Sequence, residues 1–291
     1  MENIRIALSS VRANWLRAVL TMVIISFGIM ALVGILTAID AAIYSLSSNI
    51  SSLGANTFSI ERVSLDVKSN RRGRRGKRSD PFTYDDATLF LERYKFPADI
   101  SISFNGTGNA TAKYKDRETN PNTLIMGMNR NYLKVKAYEL AAGRNFTEKE
   151  VTEGALIGII GSDIVDKLFN GNTEFAIDKY VSTGDVKVKV VGVTAPRGSS
   201  MNQSQDRRIL IPLQTAKRFY ASSQTSYNII GAVKDPTKID AAIAEATVTM
   251  RNIRKLKAGQ DNDFEVENSG DLVNIIKDNT VTLRLAAISI G

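Results

Sequence analysis

The sequence has neither cysteine nor histidine in its 291 residues. Disulfides, thiolate nucleophiles, Cys/His zinc sites and any mechanism that needs an imidazole are therefore excluded. An exported domain of this composition is held together by its core alone. Nucleotide-binding loops are missing too. Gly73-Arg74-Arg75-Gly76-Lys77-Arg78 has a Gly-Lys pair but neither the spacing nor the Ser/Thr of a Walker A motif, and Gly106-Thr107-Gly108 lacks the third glycine of a dinucleotide fingerprint. Ser199-Ser200 and Lys217 do not make a Ser/Lys catalytic pair, and the carboxylates are scattered with no acid and base to single out. The expectation is a chain without catalytic, metal or cofactor residues of its own.

Global basicity is also scarce, although the formal charge is +8. The run Arg71 to Arg78 supplies six positive charges, and without it the balance is +2. A field that would steer nucleic acid is not supported, and no nucleic-acid partner is expected. The run, with Ser79-Asp80-Pro81 after it, reads as a solvated loop. Contact with anionic headgroups or an acidic partner is the alternative.

What is present is a stretch of 22 uncharged residues, Ala18 to Ile39. At about 1.5 Å per residue it reaches about 33 Å, enough for a hydrocarbon core of about 30 Å. A cleaved signal peptide has a shorter apolar core, and a buried helix of a soluble core would not run this long without charge. The stretch reads as a transmembrane helix over 18–39. Arg5, Arg12 and Arg17 precede it and Asp40 follows, which places the amino terminus in the cytoplasm and the bulk of the chain outside.

Segment 1–17 carries Ile4, Leu8, Val11 and Trp15 at steps of 4, 3 and 4, the pattern of an interfacial amphipathic helix with Trp15 at headgroup level. Within the span Ala31, Gly34 and Ala38 share one face and could admit a second helix closely. Beyond it the apolar period continues through Ile39, Ile43, Leu46, Ile50 and Leu53 and stops at Gly54. Residues 40–54 therefore read as a stiff stalk whose stripe needs a partner.

The remainder, 55–270, alternates strands and helices without a regular βαβ series, so the fold class is α+β, with mixed sheets and two lobes. One lobe is expected over about 55–130 with 222–270, and the other between. Helices are expected at Thr83–Tyr94, Ser162–Phe169, Leu213–Tyr220 and Pro236–Leu256, with a short turn at the Thr147-Glu148-Lys149-Glu150 capping box. Strands are expected at 56–67, 99–104, 110–115, 122–128, 155–160, 208–212, 227–233 and 264–267, with a hairpin around Thr183-Gly184-Asp185. Asn105-Gly106-Thr107-Gly108 reads as a turn. Segment 271–291 reads as a returning helix followed by the apolar opening of a second span.

Several stretches carry a family resemblance: SSVRANWLRAVLTMVIISFGI, ISSLGANTFSI, MGMNRNYLKVKAYELAAGRNFTEKEV, VVGVTAPRGSSM, DRRILIPLQTAKRFY and LRLAAISIG. Together they resemble permease subunits of the MacB/FtsX type of ABC transporter, with the MacB-like periplasmic core domain. Gly143-Arg144 and the Val193 to Gly198 turn are the most recognisable pieces. The resemblance implies four transmembrane helices, a homo- or heterodimer of permeases, a cytoplasmic ABC ATPase as partner, and a periplasmic adaptor or outer-membrane component beyond the bilayer. ATP would be bound by the partner only. Ile39 to Leu53 would transmit ATP-driven motion to the periplasmic domain, which exports peptide, drug or lipoprotein cargo at the bacterial inner membrane. The chain stops where the second span should open, so the remaining spans and the loop that grips the ATPase are expected to be absent. Two alternatives stand beside export: an FtsX-like regulator of cell-wall hydrolases, and a membrane-tethered domain or enzyme without transport.

Overall fold

The structure, a computed structural model, describes residues 14–51, 56–62, 79–184, 186–197, 199–200 and 203–270. Ile4, Leu8, Val11, Leu53, Gly54, the run Arg71 to Arg78, Asp185, Gly198 and segment 271–291 lie outside the described residues. The chain divides into two compact units, one built on a long amino-terminal helix and one over Ile50–Asp271.

Helix α1 (Trp15–Ser51) is unbroken over 37 residues. Its first part, Trp15–Ile35, is long and apolar enough to cross a bilayer. Leu16, Met22, Ile24, Ile25, Met30 and Ile35 are all exposed, so apolar side chains project on every side of the helix. A helix apolar all round is stable in lipid or against other helices, and not in water. The two threonines of α1 bond back to the helix: Thr21 Oγ1 donates to the Arg17 carbonyl and Thr37 Oγ1 to that of Val33, each at 2.8 Å. That arrangement suits a medium that offers no water.

Among the described residues, the second unit is organised by one sheet of twelve strands. In chain order its elements are β1 (Thr57–Arg62), α2 (Tyr84–Arg93), β2 (Ala98–Ala110), β3 (Lys113–Tyr114), β4 (Arg117–Glu118), β5 (Thr123–Met128), α3 (Tyr132–Val135), β6 (Leu140–Gly143), α4 (Glu148–Glu153), β7 (Ile157–Ile160), α5 (Ser162–Phe169), α6 (Thr173–Ala176), β8 (Tyr180–Ser182) and β9 (Lys187–Thr194). A separate hairpin of β10 (Ser199–Ser200) and β11 (Gln203–Ser204) follows, then β12 (Arg208–Pro212), α7 (Leu213–Tyr220), β13 (Asn228–Val233), a 3-10 turn at Pro236–Lys238, α8 (Ile239–Ile253) and β14 (Phe264–Asn268).

Across the sheet the order is β14-β1-β13-β2-β5-β12-β7-β9-β8-β3-β4, with β6 beside β9. Strands from β14 to β5 pair antiparallel. The parallel pairing of β5 with β12 then joins them to a mixed flank from the middle of the chain. The two sets of residues expected as lobes thus continue one another through a single sheet, and β3 and β4 cross to the far end of the second flank.

Local chemistry explains the helix ends. Thr83 Oγ1 accepts from the Asp86 N–H at 3.1 Å while the Asp86 carboxylate accepts from the Thr83 N–H at 2.9 Å, so the first turn of α2 has its donors met. Helix α5 stops where Asn170 takes a left-handed conformation, followed by Gly171. Helices α2 and α8 pack together, with Tyr94 Oη donating to the Ala242 carbonyl at 3.0 Å. Helix α8 lies over β14 and β1 and helix α7 over β2 and β5, on the face of the sheet that presents Phe58, Ile60, Ile102 and Phe104, all buried. Arg254 clamps this corner, reaching Asp263 at 2.6 Å and Asp86 at 3.4 Å.

One expectation is corrected. Asn105-Gly106-Thr107-Gly108 is not a turn but the continuation of β2, which runs 13 residues and pairs with β5 through two register shifts. Bulges absorb the extra residues. Gly106 is used for close approach instead, since a Cβ there would lie 3.0 Å from Tyr220. The turn comes later, at Lys115 with φ 51°, within the β3–β4 hairpin.

Candidate functional site

Alternation along the strands gives the sheet two unlike faces. In β1 Phe58 and Ile60 point into the core, while Ser59 and Glu61 take the opposite face. In β2 Ile102 and Phe104 are core, while Ser103 and Asn105 join Ser59 and Glu61 at the wall of a cleft of about 500 Å³. The polar face is unlike a second hydrophobic layer. It is roofed by side chains that arrive from three other places in the chain.

The first group follows β5. Helix α3 buries Tyr132, and Ala137 at φ 48° turns the chain so that Tyr138 folds back with its ring 5.9 Å from that of Tyr132. Lys136 is brought to the cleft between them. The second is Arg197, just after β9. Its backbone N–H donates to Asp206 at 2.9 Å, its Nη1 to the Lys136 carbonyl at 2.9 Å, and its guanidinium lies 4.3 Å from the centre of the Tyr138 ring. The third is Arg208 at the start of β12, whose Nη1 donates to Tyr138 Oη at 3.1 Å. Its Nε is buried with no hydrogen-bond partner among the described residues.

The electrostatics follow from this crowding. Burial lowers the Lys136 pKa, Glu61 acts against that, and Arg208 and Arg197 add to it by repulsion. Glu61 sits at the rim, with its pKa raised by burial and by Glu267, against the pull of Lys136. Burial raises the Tyr132 hydroxyl pKa as well, against the pull of Arg208 and Arg197. The arrangement gathers positive charge beside two phenol rings, with the Tyr138 hydroxyl accepting from Arg208 and donating to Gln205 Oε1 at 3.4 Å.

None of these cleft residues stands out in the sequence. Tyr132, Lys136, Arg197 and Arg208 nevertheless all lie inside the stretches quoted above for the family resemblance, and that is the signal that could have found them. Of the residues that sequence reasoning did single out, Trp15 begins α1 and is exposed. Ala31, Gly34 and Ala38 are exposed on the same helix, and Gly34 has open space where a Cβ would stand. Ile39, Ile43, Leu46 and Ile50 fall on its continuous helical backbone.

Gly143-Arg144 has a local role. Gly143 has φ 78°, and a Cβ would stand 2.3 Å from the Val191 carbonyl oxygen, so only glycine lets β6 lie against β9. Arg144 then forks onto Glu150 at 2.8 and 2.6 Å. Glu150 also closes the capping box of α4 with Thr147. Its pKa is lowered to about 2, first by the hydrogen bond from Arg144.

Residues 18–248 match the family described as the MacB-like periplasmic core domain. The chain belongs to that family. It is a MacB-like domain of the ABC transporter permease family, with a candidate transmembrane helix in front of a mixed α/β sheet unit. The macrolide export ATP-binding/permease protein MacB of Bradyrhizobium diazoefficiens is 28% identical over 290 residues, which cover 100% of this chain and 42% of that protein. MacB of Bdellovibrio bacteriovorus is 26% identical over 299 residues, covering 100% and 44%. The chain thus spans less than half the length of these relatives. Among solved structures, the periplasmic region of MacB from Actinobacillus actinomycetemcomitans superposes with a TM-score of 0.59 at 19% identity, over 79% of this chain and 96% of that one. The extracellular domain of the ABC-type transporter YknZ from Gram-positive bacteria gives 0.54 at 21% identity, over 73% and 100%. Both likenesses concern the fold.

Proposed function

We propose that this chain is the membrane part of a MacB-type ABC transporter and passes ATP-driven motion from a cytoplasmic ATPase to a periplasmic domain that exports peptide, drug or lipoprotein cargo. The observation that carries the reading is α1. It is one unbroken helix whose apolar part, Trp15–Ile35, is followed by a further stretch of helix to Ser51. That extension covers about 24 Å at 1.5 Å per residue. A continuous helix transmits displacement along its axis because its hydrogen bonds resist stretching, whereas a loop would absorb it. In this reading the protein sits in the bacterial inner membrane with its amino terminus inside, acts as a dimer of permeases, and leaves hydrolysis to the ATP-binding partner. A periplasmic adaptor would engage the sheet unit.

The test breaks the lever without touching either end. Ala42→Pro removes a hydrogen bond and clashes in mid-helix, a cost of about 3 kcal/mol. In proteoliposomes that hold the variant within a whole permease, its ATPase partner and the adaptor, adaptor-stimulated ATP turnover is expected to be lost while insertion stays normal. Unchanged stimulation would contradict transmission through α1.

A further inference from the structure

We propose that the cleft roofed by Lys136, Arg197 and Arg208 binds a small molecule that carries an oxyanion, a carboxylate or phosphate, on an apolar or aromatic body. The inference does not rest on the transport reading. Its first support is charge. Arg62, Lys136, Arg197 and Arg208 line the cleft against one lining carboxylate, Glu61. Asp206 is engaged by the Arg197 backbone N–H, and Glu265 and Glu267 stand on β14 next to Glu61. Among the described residues neither Lys136 nor Arg208 makes a salt bridge.

The second support is an unmet donor. Leaving a buried N–H such as Arg208 Nε without an acceptor costs about 1–3 kcal/mol, and a ligand oxygen would recover it. An Arg fork and a Lys point charge together match an oxyanion with several acceptor oxygens. The Lys136 pKa, lowered first by burial and then by Arg208 and Arg197, agrees, because a desolvated cation among other cations gains from a shared anion. The third support is shape. A volume of about 500 Å³ lies in the range of small-molecule sites, and Met126, Ile230 and the Tyr138 ring offer apolar surface beside the cations. Arg197 is already held on Tyr138 and on the Lys136 carbonyl, so little of its freedom is left to lose on binding.

The experiment uses the full chain in nanodiscs of zwitterionic lipid and follows the 19F NMR line width of 4-fluorophenyl phosphate and 4-fluorobenzoate, with 4-fluorobenzyl alcohol as the neutral control. Both anions are expected to broaden and the alcohol is not. Lys136→Met should weaken binding by about fivefold, and Glu61→Gln should tighten it by about threefold, as expected for charges close to a desolvated anion. The second variant guards against misfolding, since a damaged site does not bind more tightly. Competition separates the sources. Displacement by dihexanoyl phosphatidic acid at lower concentration than by inorganic phosphate points to a lipid headgroup, and the reverse order to a soluble anion; both support the site. Equal broadening by the alcohol, no broadening by either anion, or affinities unmoved or lowered by Glu61→Gln would overturn it.

Discussion

At Gly143 and Arg144 the residue scale shows what the family's most recognisable pair does here. A methyl at 143 meets the Val191 carbonyl at 2.3 Å and the Gly192 Cα at 2.7 Å in a left-handed backbone. Gly143→Ala is therefore expected to cost about 3 kcal/mol, read as a drop in the urea midpoint, and a change under about 0.5 kcal/mol would contradict the packing argument. The Arg144–Glu150 pair carries a pH signature. Glu150 is depressed from 4.5 to about 2, so the stability it adds is fully present above about 4.5 and is lost as pH falls through that window towards 2. The Arg144 side chain is 53% exposed, so solvent screening limits the contribution to about 1 kcal/mol. Arg144→Met should lower stability by that amount at pH 6 and by almost nothing at pH 2. A gap that stays constant between those pH values would sink the assignment.

Elements are legible where short-range chemistry decides them. Thr83 with Asp86, Ser162 with the Asn170-Gly171 stop, and the Leu213–Tyr220 helix are all read from neighbouring residues and stand where expected. Asn105 to Gly108 is misread because turn chemistry is a local preference, while pairing with β5 is set by strands far along the chain. The insertion of β12 between β5 and β7 has no local signal at all. The cleft suffers most from this, since Glu61, Lys136, Arg197 and Arg208 meet only through the completed sheet. For α1 the apolar stripe expected from the spacing of Ile39, Ile43, Leu46 and Ile50 falls on a helix whose backbone is continuous. Leu46→Asp is expected to lower crosslinking between two copies of this helix in membranes by about tenfold, the worth of one lost leucine contact, with the sheet unit still folded. Unchanged crosslinking would reject a stripe-to-stripe dimer.

At the scale of the whole molecule, the composition and the fold tell one story. A helix with apolar side chains on every side needs lipid or helical partners, and a sheet unit with its own buried core needs neither. The absence of cysteine makes the proposed arrangement, a sheet unit outside the cytoplasmic membrane with α1 as its anchor, open to direct chemistry. Asp261 lies in an exposed loop between α8 and β14, and Glu2 belongs to the segment before α1. Single variants Asp261→Cys and Glu2→Cys can be treated with a membrane-impermeant maleimide in intact spheroplasts. The account predicts labelling at position 261 before lysis and at position 2 only after it. Labelling at position 2 in intact spheroplasts, or protection of position 261 until lysis, would contradict it.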